Sequence, residues 1–579
     1  MDRHAIALVL EEIGTLLDLH GENRFKARAF HNAARAVERT DDDVAALART
    51  GGLEGVSGVG PATAAVIREL VATGRSGYLA ELRTRTPAGF RELLSVPGLG
   101  VSKVRLLHQQ LGIQTVEELE RAAAEGRIAE VRGFGERMQE KIAKGVQFVR
   151  GGSGRRRLAR ALESAERVIG HVRSLPGVGR AELGGELRRC CETVAGVDLV
   201  ARVEARHTSA VLERFAALPG AARGSVAGDD RAEAVLADGL ALRLHCVPPA
   251  AFAAAWVENT GSQEHVEGLR AAAELAGLRL DGAGLWRARR RAPTPDEASL
   301  YEALSLAWVP PELRETGRDE ILAAAERRLP DLVRYEQLRG CFHCHTTASD
   351  GRDTLEQLAE GALARGWRYL GIADHSQAAG YAGGLSADEI ARQHEAIDAW
   401  NDARGTELWL FKGIEADILA DGSLDYAALG DAVLGRFDYV VGSVHSGFGM
   451  PRAQMTQRVL RALENPFLTF LGHPTGRLLL IREGYAIDLD AVIAAAAERD
   501  IGIEINADPH RMEMDWRYWK DARARGVLTA INPDAHSVRE LDNVRLGTTV
   551  ARKGWLEAAD VVNAWDLDEV RKHFARKRS

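Results

Sequence analysis

The chain has 579 residues, more than one hydrophobic core accommodates, so several domains are expected. Its composition, 46% hydrophobic and 27% charged, is that of a globular protein, and no apolar run reaches membrane-spanning length. A net charge of −8 excludes a uniformly basic nucleic-acid coat but leaves local phosphate contacts open. The N-terminus carries acidic residues where a signal peptide would be apolar, so we expect a cytoplasmic protein. Five cysteines give no disulfide framework.

The first 150 residues read as helices with a glycine pattern that recurs. Segments 53–70, 93–107 and 129–142 each show a pair of glycines one residue apart, at an apolar-x-Gly-apolar-Gly spacing or a weaker form of it, before a helix, and the first segment also contains Gly55. This is the helix-hairpin-helix pattern, in which glycines allow a tight turn and free N–H groups at a helix start meet a phosphate. Such contact reads the DNA backbone, not its sequence. The expected DNA-binding residues are Gly58, Gly60, Gly98, Gly100, Lys103, Gly133 and Gly135.

Residues 150–157, RGGSGRRR, form a hinge that serves either as a solvated linker or as a phosphate contact. From about residue 160 to 250 a helix leads to short strands, which indicates an α+β region. A further helical stretch surrounds a Thr-Gly-Ser turn at 260–262, and Pro310 and Pro311 end this part of the chain.

Beyond residue 339, strand-like runs alternate with helical ones, which predicts parallel strands in a barrel or an open sheet. Nearly every run ends in a residue that binds metals: His375, Glu415, His445, His473, and then Asp534 and His536. Catalytic groups of β/α barrels come from these strand ends.

The stretch 339–351, RGCFHCHTTASDG, adds three more such residues. Residues 341–345 alternate as a strand does, so His343 and His345 share a face and suit one metal. Asp350 follows in the loop, which we expect to bring it to a neighbouring metal. Cys341 and Cys344, with the two histidines interleaved, are interpreted as packing residues rather than as a zinc or redox pair.

Taken together, these motifs resemble those of two known families. Residues 339–579 resemble the PHP (polymerase and histidinol phosphatase) phosphoesterase domain, a distorted (β/α)7 barrel with a trinuclear metal centre. In domain order the whole chain resembles the bacterial family X DNA polymerases with a C-terminal PHP domain. The resemblance implies two helix-hairpin-helix domains, a helical lyase-like domain over 1–85 and a fingers domain over 86–150. They would be followed by an α+β nucleotidyltransferase-like palm over 151–265 and a thumb over 266–315. A linker over 316–338 would then lead to the PHP barrel over 339–579.

The resemblance also implies the metal ligands. His343, His345, Glu415 and Asp534 would hold one ion, and Glu415 would bridge to a second ion held by His445 and His473. Asp350, His375 and His536 would hold the third. Imidazole and carboxylate together suit Mn²⁺ or Zn²⁺, and the implied activity is a Mn²⁺-dependent 3′–5′ exonuclease. Arg477 and His510 serve either as substrate phosphate contacts or in structural roles.

The palm departs from its family. In GELRRCCETV, Gly185, Arg188 and Arg189 match the first motif, but Glu186 replaces the serine that contacts the triphosphate. Asp198 matches the second catalytic carboxylate, whereas Gly196 and Arg243 stand in place of the first and third. Because two-metal phosphoryl transfer needs several anionic oxygens, we predict weak or absent polymerase activity, and binding of Mg²⁺, Mn²⁺ or nucleotide there is in question. Asp198 and Arg189 remain the candidate catalytic residues; Asp229, Asp230 and Asp238 lie nearby but outside the strand motifs.

The leading prediction is therefore a monomeric, nucleoid-associated DNA-repair enzyme that trims gapped or 3′-ended DNA without sequence preference and binds no membrane. Three alternatives stay open. The first is an active gap-filling polymerase in base excision repair. The second is a non-catalytic DNA-end binding protein. The third is a phosphatase for a small phosphate ester, against which the three hairpins argue.

Overall fold

The computed structural model describes residues 3–21, 24–40, 44–87, 89–152, 154–236, 239–427 and 433–576. The chain divides into two compact units, Met1–Ser153 and Gly154–Ser579. Asp238 lies outside the described residues.

The first unit is helical throughout its described residues. Its helices α1–α10 are Arg3–His20, Arg24–Arg39, Val44–Thr50, Pro61–Thr73, Gly77–Arg85, Phe90–Ser95, Val101–Leu111, Val116–Ala124, Arg127–Glu130 and Gly135–Gly152. Their apolar faces share one buried cluster that includes Ile13, Phe30, Ile67 and Leu107. Helix α8 begins with a capping box, because Thr115 accepts from the N–H of Glu118 while the Glu118 carboxylate accepts from the N–H of Thr115.

The three predicted hairpins are present as short turns before α4, α7 and α10. Gly58, Gly98 and Gly133 have φ of 98°, 90° and 97°, a region that favours glycine. Gly60 and Gly100 are the N-caps of α4 and α7, and Gly135 begins α10. The glycine pattern of the sequence thus corresponds to turns that only glycine forms without strain.

The second unit opens with an α+β region. Its elements are β1 Arg156–Arg157, α11 Leu158–Ser174, β2 Val178–Leu183, α12 Gly185–Arg188, β3 Thr193–Val194, β4 Gly196–Val203, α13 Ala205–Ala216, β5 Ala221–Ala227, β6 Arg231–Leu236 and β7 Ala241–Val247. Five strands form a sheet in the order β2-β4-β7-β6-β5, in which β4 and β7 are parallel. This parallel pair sets Asp198 directly opposite Arg243.

A small region with its own apolar core follows. It contains α14 Phe252–Glu258, α15 Gln263–Leu275, the antiparallel strands β8 Arg279–Asp281, β9 Gly284–Arg287 and β10 Arg290–Arg291, α16 Glu297–Ala303 and α17 Asp319–Ala325. The Thr-Gly-Ser turn lies between α14 and α15, where the Ser262 hydroxyl caps α15 by accepting from the N–H of His265.

The last region alternates strands and helices as predicted. The elements are α18 Leu355–Ala364, β11 Tyr369–Ile372, α19 Ala387–Arg404, β12 Trp409–Asp417, β13 Tyr439–Ser443, α20 Arg452–Ala462, β14 Phe470–Leu471, α21 Leu489–Glu498, β15 Gly502–Asn506, α22 Trp519–Ala524, β16 Thr529–Asn532, α23 Val544–Lys553 and α24 Leu567–Arg576. The strands pair in parallel in sequence order from β11 to β16. They are almost entirely buried, as expected for a parallel sheet covered on both faces.

The prediction of a strand over 341–345 is wrong in its detail. The segment is extended, but among its residues only Cys344 forms a ladder contact, an isolated bridge to Ala535. It bonds to both edges of the sheet: the N–H of Gly371 donates to the Cys341 carbonyl at 2.8 Å, and the N–H of His345 donates to the Ala535 carbonyl at 2.8 Å. These irregular bonds on two sides prevent a regular ladder with either edge. The closed seven-stranded barrel stays a prediction, because six strands form the described sheet.

Candidate metal centre

The residues predicted to bind metals meet at the carboxyl ends of the parallel strands. Glu415 lies near the end of β12, while His375, His445, His473, Asp534 and His536 follow β11, β13, β14 and β16. The segment beside β11 and β16 contributes His343 and His345, and the loop after it contributes Asp350. Parallel strands place their carboxyl ends at one edge, so residues far apart in sequence converge.

Glu415 is buried at the middle of this group. Its Oε1 lies 2.9 Å from Nε2 of His473, 3.3 Å from Nε2 of His445 and 3.4 Å from Nε2 of His343. Its Oε2 lies 2.8 Å from Nδ1 of His375. One carboxylate thus faces four imidazoles, an arrangement suited to a ligand shared between ions.

Two further carboxylates complete the cluster. Oδ1 of Asp350 lies 3.3 Å from Nε2 of His536 and 3.6 Å from Nε2 of His375. Oδ1 of Asp534 lies 3.1 Å from Nε2 of His345 and 3.7 Å from Nε2 of His343.

Donor atoms in three sets lie within 4.8 Å of one another: His345, Asp350, His375 and His536; His343, His345 and Glu415; and His375, Glu415 and His445. The first two sets share most of their members with two of the predicted ligand groups. The third set contains His375 together with Glu415 and His445, whereas the sequence predicted His473 as the partner of those two residues. His473 faces the same carboxylate oxygen as His445.

The unsatisfied atoms of the cluster fit divalent ions. Among the described residues, buried side-chain atoms without a hydrogen-bond partner include Nε2 of His343, Nδ1 of His345, His375 and His473, and Oε2 of Glu415. Nδ1 of His375 and Oε2 of Glu415 are 2.8 Å apart yet not aligned as donor and acceptor. Buried polar atoms normally have partners, and so many orphans at one point indicate ligands for an ion.

Carboxylates behind two histidines orient their rings. Oε1 of Glu504 lies 2.6 Å from Nδ1 of His343, and Oδ1 of Asp417 lies 2.6 Å from Nδ1 of His445. A carboxylate at Nδ1 leaves Nε2 free for a metal and raises its basicity. The sequence reasoning missed both residues. Asp417 had a signal, since it lies two residues after Glu415 on the same face of β12.

Charges within the cluster compensate each other. Burial lowers the pKa of His375, but the carboxylates of Glu415 and Asp350 outweigh it and raise the pKa to about 10. At His536, burial also lowers the pKa, but the carboxylates of Asp350 and Asp534 outweigh it and raise the pKa to about 9. Burial and the neighbouring His536 and His375 instead lower the pKa of His345 to about 3. A metal ion binding here therefore competes with protons.

The two residues considered for phosphate contact differ in position. The Arg477 guanidinium is held inside the protein: its Nε donates to the Arg511 carbonyl at 2.9 Å, and it also contacts Asp515. His510 is half exposed with Nδ1 3.1 Å from Asp508. A cation that the sequence reasoning missed is closer to the cluster, since Nε of Arg511 lies 3.8 Å from Oδ2 of Asp534.

In the palm-like region, Asp198 is engaged by a cation. Nε of Arg243 donates to its Oδ1 at 2.5 Å and the second guanidinium nitrogen donates to its Oδ2 at 3.1 Å. Arg243, in the place of a catalytic carboxylate, thus occupies the oxygens that a metal would need. Asp230 instead faces His245 at 3.1 Å and takes no part in this pair.

The other two departures from the family pattern also have structural counterparts. A Cβ on Gly196 would lie 2.7 Å from the Ala241 carbonyl oxygen, so the backbone of β4 leaves no room for an aspartate there. The Glu186 carboxylate accepts from Arg155 at 2.8 Å and from the N–H of Ala195 at 2.7 Å. The negatively charged carboxylate of Glu186 thus lies where a triphosphate would need a hydrogen-bond donor.

Arg188 and Arg189 are also committed to internal contacts. Arg188 donates twice to Glu297, each at 2.7 Å, and its guanidinium lies over the Trp256 ring. Arg189 is buried, donating to the Thr260 carbonyl at 2.7 Å and to Glu315 at 3.1 Å. Burial raises the pKa of Glu297, but Arg188 and Arg314 outweigh it and lower the pKa to about 2.

Lys103, the cation predicted to meet DNA, lies beside the second hairpin. Its Nζ donates to the Gly98 carbonyl at 2.8 Å and lies 3.5 Å from Sδ of Met138. The lysine therefore stabilises the hairpin turn through this hydrogen bond.

The chain matches known families along most of its length. The helix-hairpin-helix domain model matches residues 1–76, and the SAM-like helix-hairpin-helix tandem model matches 90–147. The DNA polymerase beta thumb model matches 255–315, and the PHP domain model matches 342–508. The DNA polymerase/3′-5′ exonuclease PolX of Bacillus subtilis (strain 168) is 33% identical over 580 residues, covering 100% of each chain. The chain belongs to the family X DNA polymerases that carry a C-terminal PHP domain.

Other relatives of this family X chain match a smaller share of it. A probable phosphatase of Thermoanaerobacter sp. (strain X514) is 25% identical over 248 residues, 41% of this chain and 94% of the relative. A probable phosphatase of Clostridium acetobutylicum is 35% identical over 139 residues, 22% of this chain and 53% of the relative. Along the chain the matches follow the order helix-hairpin-helix, thumb, PHP. No helix in the described ranges is both long and apolar enough to cross a membrane.

Proposed function

We propose that this protein is a DNA-repair enzyme whose PHP domain removes nucleotides from DNA 3′ ends. The observation that carries the proposal is the convergence of six histidines and two further carboxylates around Glu415, with several buried donor atoms unsatisfied. The Bacillus subtilis relative, whose name includes 3′-5′ exonuclease, supports the direction of degradation.

The nine residues predicted from the sequence are the proposed ligands of up to three ions, with Mn²⁺ preferred and Zn²⁺ as the alternative. Such ions supply Lewis acidity toward a phosphodiester and make water a nucleophile near neutral pH. Glu504 and Asp417 hold the rings of His343 and His445 in place. Arg511, beside Asp534, is positioned to offset negative charge at the centre.

We propose that the first unit binds DNA through its hairpins without reading sequence, on gapped or 3′-ended substrates. The glycine turns at Gly58, Gly98 and Gly133 directly precede helices, whose first backbone N–H groups have no partner within the helix and would meet a phosphate. We retain the domain boundaries 85/86, 150/151, 265/266, 315/316 and 338/339 as proposals. We further propose that the enzyme acts as a monomer at the nucleoid, in the cytoplasm where its DNA substrate lies.

The decisive assay uses a 5′-labelled primer on a gapped template with Mn²⁺, with and without nucleotides. We expect the primer to shorten in both conditions. Lengthening would instead support a polymerase. If neither occurs while DNA still binds, the protein is a non-catalytic DNA-end binder. Hydrolysis of a small phosphate ester without action on DNA would support a phosphatase, the activity in the names of two relatives.

A gap-filling polymerase is the second candidate, because the Bacillus subtilis relative is also named a DNA polymerase. The bond between Arg243 and Asp198 is the observation against it. We therefore predict that Asp198→Ala changes nucleotide incorporation by no more than the error of the primer-extension assay. Asp198→Asn serves as the conservative control. Template-directed extension that disappears in Asp198→Ala would establish a working palm and overturn this prediction.

A further inference from the structure

An aromatic side chain lies exposed beside the metal centre. The ring of Tyr381 is in the loop between β11 and α19, and the residue is 72% exposed. Its centroid lies 6.2 Å from the ring of His375 and 6.3 Å from the ring of His445. These histidines belong to one donor set with Glu415. The tyrosine therefore stands at the solvent side of that set.

The exposure does not result from a loose loop. At its ends, the N–H of Leu385 donates to the His375 carbonyl at 2.9 Å, and the N–H of Gln377 donates to the Tyr426 hydroxyl at 2.7 Å. A further bond of 2.8 Å joins the N–H of Ala382 to the Ala379 carbonyl. These bonds constrain the backbone on both sides of Tyr381, so little backbone freedom would be lost when a ligand binds to the ring.

In this loop small side chains are buried while the large aromatic one is exposed, which is the opposite of the usual arrangement. Ala379 and Ala382, on either side, are buried, whereas the much larger Tyr381 points outward. Folding would gain more by burying the tyrosine, since buried aromatic area stabilises. A large aromatic face kept in water beside a catalytic centre indicates a surface for a ligand.

We propose that Tyr381 is the platform on which the 3′-terminal nucleobase of the DNA stacks; this rests on the exonuclease function proposed above. A phosphodiester held at His375, Glu415 and His445 would place the nucleoside attached to it within reach of the adjacent ring. Nucleobases stack on aromatic side chains with little dependence on sequence, as an exonuclease requires. Such stacking needs a base that has left its own duplex, so the substrate class is an unpaired or frayed 3′ end.

The first test combines a protein change with a substrate change. The wild type, Tyr381→Ala and Tyr381→Phe act on one single-stranded DNA ending in a normal or an abasic 3′ nucleotide. We expect the wild type and Tyr381→Phe to prefer the normal end by about tenfold in kcat/KM, mostly through KM. Tyr381→Ala is expected to lose that preference. If Tyr381→Ala keeps the full preference, the platform is elsewhere and the proposal fails.

The second test measures stacking without turnover. A DNA strand with 2-aminopurine as its 3′-terminal base is bound with Ca²⁺ in place of Mn²⁺, and its fluorescence is recorded. We expect quenching with the wild type and Tyr381→Phe, and a clearly smaller effect with Tyr381→Ala at equal occupancy. Equal fluorescence in all three proteins would overturn the stacking proposal even if the exonuclease is active. Conversely, quenching without any exonuclease activity would sustain the platform and refute the proposed reaction.

Discussion

Replacing Glu415 by glutamine should abolish 3′–5′ exonuclease activity, with a loss on the order of a thousandfold or more, equivalent to about 4 kcal/mol in the barrier. Glu415 faces four histidines at 2.8 to 3.4 Å and is buried among them. Glutamine keeps the volume of the side chain but removes the charge shared by these imidazoles. The ions that it would help to hold should be bound far more weakly.

The readouts are the rate of primer shortening with Mn²⁺ and the metal content of the purified protein. Both should fall, while DNA affinity should stay at the wild-type value because the hairpins lie in the first unit. Glu320→Gln is the matched control, since Glu320 is equally buried but bonds to His265 and Thr316, away from the centre. It should lower stability and keep exonuclease activity. Full activity in Glu415→Gln would contradict the proposed assignment of the centre.

The convergence of these histidines and carboxylates was predictable from the sequence, because most of them follow strand-like runs. Nearly every run around β11 to β16 is mostly apolar and ends in a histidine or a carboxylate, a pattern typical of metal-dependent enzymes with β/α sheets. The same logic identified the hairpin glycines, since a positive φ leaves little choice of residue type. Both patterns lie within short stretches of sequence, the end of a strand or a turn before a helix, so the spacing of residues is enough to predict them.

The residues that support the centre were not predictable in this way. Glu504 looks like any acidic residue on a strand until the fold places it 2.6 Å from His343, a residue 161 positions away. Tyr381 is an ordinary loop tyrosine in the sequence, and only its exposure and its distance from His375 in the structure distinguish it. Such roles arise from long-range contacts, for which one sequence offers no record.

The palm illustrates a sequence departure whose consequence needed the structure. The sequence showed that Arg243 replaced a carboxylate, but the parallel register of β4 and β7 shows that its guanidinium bonds to the remaining one. Gly196 is likewise more than a missing aspartate, because the neighbouring strand approaches too closely for any Cβ. The two changes are therefore mutually consistent, because each of them removes a carboxylate from the sheet and fits the prediction of weak or absent polymerase activity.

Glu315→Gln should destabilise the second unit by about 3–5 kcal/mol, the usual cost of leaving buried charges without their partner. Glu315 accepts from Arg189 at 3.1 Å and from Nζ of Lys553 at 2.5 Å. The Lys553 side chain is fully buried, with further bonds to the carbonyls of Arg189 and Glu312. The substitution would leave two buried cations facing a neutral amide.

The measurement is thermal unfolding of the full chain, in which the transition of the second unit should move down by several degrees. The double variant Glu315→Gln/Lys553→Met should recover part of the loss, because the lysine charge no longer needs a partner. Glu360→Gln is the control: its pair with Arg404 is largely exposed and should contribute less than about 1 kcal/mol. A shift for Glu315→Gln no larger than that of Glu360→Gln would contradict the prediction.

This interaction bears on what the palm contributes to the protein. Lys553 ends α23 of the C-terminal region, whereas Arg189 belongs to the palm motif that matches the family. An arginine expected near a nucleotide is thus joined, through Glu315, to the domain that contains the metal centre. Apolar packing continues across the same region, since one buried cluster contains both Leu199 and Ile531. We expect Glu315→Gln to weaken exonuclease activity only at temperatures where the second unit begins to unfold, which would identify the palm as a support for the PHP domain.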